Sequence, residues 1–306
     1  MKLIKQSKPE LLSSYFNGNY SVKLFSDGTK IRETENDEFI SEFPENIDIK
    51  ITNKCNAGCN FCFEDSTIDG KQGQLDLPFF DTLQPGTEIS LGGGNIFEHP
   101  DLEKFLEVRK KQGIISNITV NQVHFAENID KINRWQMEKL VYGVGISYNG
   151  SVEKLVKLYK STAIPQNVVV HTIAGIHNLE PLIGHNLKVL ILGYKSLRRG
   201  QTYKLKYDSL ISKNINKLQE SLPRYLKSFN VLSFDNLALE QLNVKSLIEP
   251  AFWEEHYMGD DGTSTMYIDL VKREFASSST SNLRYNLDEY NDIKSIFKIV
   301  LNEKAN

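Results

Sequence analysis

The sequence predicts an α/β fold built around a parallel sheet, and three observations lead there. Short apolar runs recur along the middle of the chain, among them IDIKIT at 47–52, EISL at 88–91 and LKVLILG at 187–193. Segments with helical spacing separate them, such as HPDLEKFLEVRKKQG at 99–113 and NIDKINRWQMEKL at 128–140. Strands alternating with helices imply a parallel sheet covered on its outer face. Six or seven such units suit a full or partial TIM-type (β/α)6-7 barrel. An open doubly wound sheet has the same periodicity and remains the alternative.

The elements follow in order. YSVKLFSDGTKIRE at 20–33 predicts a hairpin turning at Asp27-Gly28. IDIKIT places Ile47, Ile49 and Ile51 at period two, as a first strand. DLPFFDTL at 76–83 is a short helix, and EISL runs as a buried strand into Gly92-Gly93-Gly94. In 99–113, Pro100 suits a first turn and Gly113 a stop. Strands are expected at 117–121, 143–149 and 167–173, with a helix at 151–159 opened by Ser151. A helix at 208–222 and a strand at 230–235 follow LKVLILG. TMYIDLVKREFA at 265–276 is strand-like, and LDEYNDIKSIFKIV at 287–300 is a closing helix. The chain thus divides into an N-terminal hairpin extension (1–45), a barrel core (46–235) and a C-terminal strand and helix extension (236–306).

The chain has 306 residues, 40% hydrophobic and 25% charged, which is ample for a sizeable core. A net charge of −3 imposes no basic field that demands nucleic acid, although a local basic patch leaves that partner open. MKLIKQSKPELLSSYF carries no continuous apolar core of a signal peptide, and no apolar run approaches a membrane span. The expectation is a soluble, cytoplasmic protein with no membrane partner.

All three cysteines, Cys55, Cys59 and Cys62, fall within eight positions of ITNKCNAGCNFCFEDST. Thiolates select zinc, copper(I) or iron–sulfur clusters. A closed zinc site needs a fourth ligand, which His99 or another histidine would supply. A [4Fe–4S] cluster normally takes four cysteines, so three leave one iron open to a small molecule. CNAGCNFC resembles the radical SAM motif C-x3-C-x-(aromatic)-C, with Phe61 in the aromatic position. The resemblance implies a site-differentiated [4Fe–4S] cluster on Cys55, Cys59 and Cys62. It also implies S-adenosylmethionine (SAM) on the fourth iron, a one-electron reductant such as flavodoxin or ferredoxin, and a 5′-deoxyadenosyl radical that abstracts hydrogen from substrate.

Further stretches resemble the same superfamily. Gly92-Gly93-Gly94-Asn95 resembles its Gly-Gly-Glu motif, which binds the methionine amino group, with Asn95 where the acid stands. TVN, ending at Asn121, resembles its third-strand Thr-Asn-Gly. ISYNG resembles the fourth-strand tip and offers Ser147 and Asn149 to SAM. HTIAGIHN resembles the fifth-strand stretch against adenine, matched at Ile173 and Gly175. SDGTKIR, LGGGN and LILGYK together resemble a radical SAM subgroup without an assigned substrate.

GYKSLRRGQTYKLKY at 193–207 interleaves lysines, arginines and tyrosines. It is either an anion-binding rim for substrate, with Lys195, Arg198 and Arg199 as the candidates, or a solvated loop. No cysteine follows Cys62, which excludes further cysteine-held clusters. The expected function is a radical SAM enzyme acting on a small metabolite, nucleotide or peptide. The rival is a non-catalytic zinc protein whose basic loop binds nucleic acid. A third reading keeps the cluster in a redox or regulatory binder.

Overall fold

The computed structural model describes residues 9–305, and side chains through Glu303. The first eight residues belong to the expected N-terminal extension and to the stretch read for a signal peptide; with Asn306, they lie outside the described residues.

A three-stranded antiparallel sheet comes first: β1 (Leu11–Asn17), β2 (Tyr20–Phe25) and β3 (Lys30–Glu33). The β2–β3 turn closes as expected, with Gly28 at φ +90° and its N–H donating to the Phe25 carbonyl at 3.0 Å. Strand β1 was not anticipated, because LLSSYFN lacks clean alternation.

Among the described residues the main sheet has ten strands. Seven run parallel in chain order: β4 (Asn46–Thr52), β5 (Glu88–Gly93), β6 (Ile115–Asn121), β7 (Val144–Ser147), β8 (Val168–Ile173), β9 (Lys188–Leu192) and β10 (Val231–Phe234). Helices α1 (Leu102–Lys111), α2 (Gln122–Glu127), α3 (Ile129–Met137), α4 (Val152–Ser161) and α5 (Arg199–Ser228) connect them. Beyond β10 lie α6 (Asn236–Gln241) and α7 (Pro250–His256). The chain then returns to the other edge, where β11 (Thr265–Asp269) pairs parallel with β4. Strands β12 (Glu274–Ala276) and β13 (Tyr285–Asn286) extend that edge antiparallel, and α8 (Ile293–Ala305) closes the chain.

From β4 to β10 seven neighbouring strands follow chain order, unlike the two matched halves of a doubly wound sheet, and the order turns back only where β11 pairs with the far flank of β4. Among the described residues the sheet is open, which is compatible with the partial form of the expected barrel. The alternation explains how it holds and what it leaves free. Ile47, Ile51, Ile89, Leu91, Val170, Val189 and Ile191 join one buried core with Phe105 of α1, Trp135 of α3 and Leu222 of α5. The intervening residues, including Asp48, Lys50, Ser90, Thr119, Ser147 and His171, face a cavity of about 1050 Å³.

Two local expectations change. Ser151 precedes α4, but its side chain makes no capping bond. The basic stretch at 193–207 is helical from Arg199 onward, within a 30-residue α5 that breaks at Tyr207 (φ −126°, ψ 24°). Leu, Lys, Tyr and Gln sustain a helix as well as they line a loop, so composition alone could not fix the start.

Candidate functional site

The cysteine loop begins three residues after β4. Its base is pinned to 67–71: Cys55 N–H donates to the Thr67 carbonyl at 2.7 Å, and Asn53 N–H to Lys71 at 3.0 Å. Its far side is a run of turns, with Cys62 N–H on the Cys59 carbonyl and Asp65 N–H on the Cys62 carbonyl. Gly94 and Asn95 donate their N–H groups to the carbonyls of Thr52 and Lys54, both at 2.7 Å. This contact needs glycine. A Cβ on Gly93 (φ +116°) would stand 2.2 Å from the Thr52 oxygen, and one on Gly94 2.2 Å from the Lys54 oxygen. The bare Gly92 faces the cavity, where a Cβ would approach only Thr119, at 3.9 Å.

Cys55, Cys59 and Cys62 are unbridged, half-buried, and all line the cavity. Burial pushes the thiols of Cys55 and Cys59 up, and the neighbouring cysteines add to the rise. Two donors point at sulfur: Ala57 N–H lies 3.4 Å from Cys55 Sγ, and Asn121 Nδ2 lies 3.9 Å from Cys59 Sγ. Among the described residues no three His, Cys, Asp or Glu side chains form a ready-made metal cage. Thiols that gain nothing from one another have no reason to converge without the group they hold. As a donor set, three soft sulfurs lining one cavity fit an iron–sulfur cluster better than a closed zinc cage. His99, the expected fourth zinc ligand, is buried with both ring nitrogens engaged: Nε2 lies 2.8 Å from the Gly73 carbonyl and Nδ1 accepts from Asp101 N–H.

Of the other expected site residues, Phe61, Gly92, Gly93, Gly94, Asn121, Ser147, Asn149, Ile173 and Lys195 line this same cavity. Four do not. Asn95 turns away to cap the 3-10 turn at Ile96–Glu98, accepting from Phe97 N–H. Gly175 (φ +78°) packs on α5, where a Cβ would meet Ile211 at 2.9 Å. Arg198 donates to the Phe63 carbonyl at 2.9 Å, and Arg199 pairs with Asp65 at 2.9 Å and reaches the Ser66 carbonyl. Both arginines therefore brace the cysteine loop. Their long side chains reach backward from the start of α5, a direction the sequence does not reveal.

Sequence reasoning missed several neighbours. His124 sits on α2 with Nε2 2.7 Å from Asn56 Oδ1, inside the cysteine loop. His177 accepts from Ile173 N–H at 2.9 Å, and its ring meets Phe61 and Tyr148. Below the loop, Lys50 pairs with Glu64 (2.8 Å) and Asp269 (3.2 Å), and Arg198 approaches Glu64 at 3.5 Å. All three members of the Lys50 set are buried. The signal was present: Lys50 is the one cation in a strand whose alternate positions are Ile47, Ile49 and Ile51.

Comparison with solved structures finds SuiB of Streptococcus suis. SuiB bound to precursor peptide SuiA matches with a TM-score of 0.54 at 15% identity, over 84% of this chain and 65% of that one. SuiB bound to S-adenosylmethionine matches at 0.53 and 14%, over 84% and 66%. A further SuiB structure gives 0.52 and 12%, over 95% and 87%. In the two ligand-bound matches this chain spans just under two thirds of SuiB. The likeness establishes the fold. No family model matches the chain, and no curated protein matches it in sequence.

Two predictions follow from the buried charges. Lys50→Met leaves Glu64 and Asp269 without their shared cation, and the urea midpoint falls by an amount equivalent to about 3–5 kcal/mol; an unchanged midpoint rejects the network. Burial holds His171 neutral, with its imidazole pushed down to about 4 from 6.5. The unfolded chain binds that proton first, so this contribution to stability is whole above pH 6.5 and is lost as pH falls from 6.5 towards 4. The difference between wild-type and His171→Gln melting curves across that window isolates it, and parallel curves contradict it.

Proposed function

We propose that this chain is a radical SAM enzyme, with Cys55, Cys59 and Cys62 as ligands of a [4Fe–4S] cluster whose fourth iron takes SAM. When bound, the pair supplies reductive cleavage of SAM to the 5′-deoxyadenosyl radical, which abstracts hydrogen from a substrate. One observation carries the reading: a C-x3-C-x2-C loop at the carboxyl end of the first parallel strand shares its cavity with a glycine turn and with the tips of β6 to β8.

The chain's own residues have distinct tasks. The bare Gly93 and Gly94 allow the close approach at which the N–H groups of Gly94 and Asn95 hold the cysteine loop against the end of β5. Gly92 leaves room beside the thiols for a ligand's amino and carboxylate end. Asn121 and the Ala57 amide aim N–H groups at sulfur, the kind of contact that tunes a cluster's potential. Ser147, Asn149 and Ile173 line the wall where ribose and adenine are expected, and Phe61 walls the mouth against His177 and Tyr203. The cavity, open at one end, has room for a cofactor and a second molecule. That SuiB has been solved with SAM and with a peptide supports a fold able to take both kinds of ligand. A one-electron donor such as flavodoxin or ferredoxin is the partner this chemistry requires.

Anaerobically reconstituted protein is expected to hold about four irons and four sulfides per chain. With dithionite and SAM it releases 5′-deoxyadenosine, and Cys55→Ala, Cys59→Ala and Cys62→Ala each lose that release by at least about a hundredfold. A variant that keeps its iron and its full rate removes that cysteine from the ligand set. A colourless wild type with one zinc rejects the reading.

A further inference from the structure

Most charges that face the cavity are answered locally. Lys50 pairs with Glu64, Glu88 with Lys30 at 2.7 Å, and Lys188 donates to the Asp27 carbonyl at 3.3 Å. Asp48, Asp235 and Lys195 are the exceptions. Asp48 projects from the first parallel strand, four residues before its end, which is about 13 Å along the strand. It is open to the cavity yet enclosed by protein, and its hydrogen-bond partners are neutral: Asn46 Nδ2, at 3.3 Å to Oδ1, and the Ser90 side chain. Asp235 spends Oδ1 on the N–H groups of Gly193 and Ala238, both at 2.8 Å, and keeps Oδ2. Among the described residues no cationic side chain stands within ion-pair distance of either carboxylate.

Lys195 lines the cavity with them but is already engaged. Its ammonium donates to Ser279 Oγ at 2.8 Å and sits 4.3 Å from the centre of the Phe63 ring. Burial pushes both carboxyls up, and Lys195 is the cation that opposes it at each. Two carboxylates thus share one partly satisfied ammonium. A ligand anion entering here meets an excess of like charge; a ligand cation completes two pairs.

An independent observation comes from His171 on β8. Its ring lies over Gly145, where a Cβ would come within 2.3 Å, and its Nδ1 is buried without a hydrogen-bond partner. It lines the same cavity and is held neutral, so it adds no competing positive charge.

We propose that the wall formed by Asp48, His171, Lys195 and Asp235 is the substrate subsite and that it receives an organic cation, a primary ammonium or a guanidinium. The inference deepens the reading above and rests on it for the chemistry that follows binding. It replaces the expectation of an anionic substrate drawn from the 193–207 stretch, whose Arg198 and Arg199 are committed to the cysteine loop.

The test uses full-length protein and four probes at matched ionic strength: propylammonium, methylguanidinium, propionate and inorganic phosphate. One or both cations raise the melting temperature of the wild type, and which of them does so separates ammonium from guanidinium recognition. The anions do not raise it. Asp48→Asn, which keeps shape and hydrogen bonding, weakens the cation response about tenfold or more. Should that variant fail to fold, Asp235→Asn, which retains a capping oxygen for α6, carries the same measurement. Stabilisation by propionate or phosphate in place of the cations overturns the proposal, as does an undiminished cation response in the variant. SAM binding, followed by equilibrium dialysis on the same samples, keeps the two readings apart. Asp48→Asn retains it; a wild type that binds the cations and never SAM supports the subsite and rejects the radical SAM reading.

Discussion

Two backbone hydrogen bonds hold the candidate site together. They join Gly94 and Asn95 to the carbonyls of Thr52 and Lys54, and so lay the turn after β5 against the segment that leads into the cysteines. Each bond alone contributes about 1 kcal/mol. Their effect on geometry is larger, because they set where the loop leaves the sheet. Glycines at 93 and 94 are the condition for that approach. The Gly-Gly-Gly run therefore works first as a spacer between two strands, and at Gly92, where a Cβ would meet only Thr119, it leaves room for a ligand.

Electrostatics secures the other side of the loop. Arg198 and Arg199, at the start of α5, reach back to Phe63, Glu64, Asp65 and Ser66, while Lys50 meets Glu64 from the sheet below. The residues following Cys62 are thus clamped between a helix and a strand that are remote in sequence. Buried ion pairs of this kind contribute less to net stability than to uniqueness of arrangement, and losing one partner is costly. Presenting three cysteines to one cavity is a task that calls for such uniqueness.

The sequence made the scaffold legible because parallel strands write themselves as apolar runs and their helices as 3.6-residue periods. Strands β4 to β10 all fall where the runs predicted them. Openness of the sheet was not legible, since closure depends on strand tilt and on what covers the edge; here β11 occupies the flank of β4 that a closing strand would need. That the cysteines and Gly92 follow the first two parallel strands and line one cavity was readable, because their spacing is local. Asn95, Arg198 and Arg199 point elsewhere than expected because the direction of their side chains is set by partners 2 to 135 residues away, and Gly175 packs against Ile211 of α5. Asp48 and Asp235 escaped notice because a lone acid in a strand or before a helix looks like a register residue or a cap, and Asp235 is indeed also a cap.

The central claim is an iron that the protein leaves open and SAM fills. Electron paramagnetic resonance of the dithionite-reduced, reconstituted protein, recorded with and without SAM, tests it most directly. The account predicts the signal of a reduced [4Fe–4S] cluster whose g-values shift when SAM is added, because SAM binds the cluster itself. A spectrum that SAM leaves unchanged, or a protein that carries iron yet gives no such signal, would contradict it.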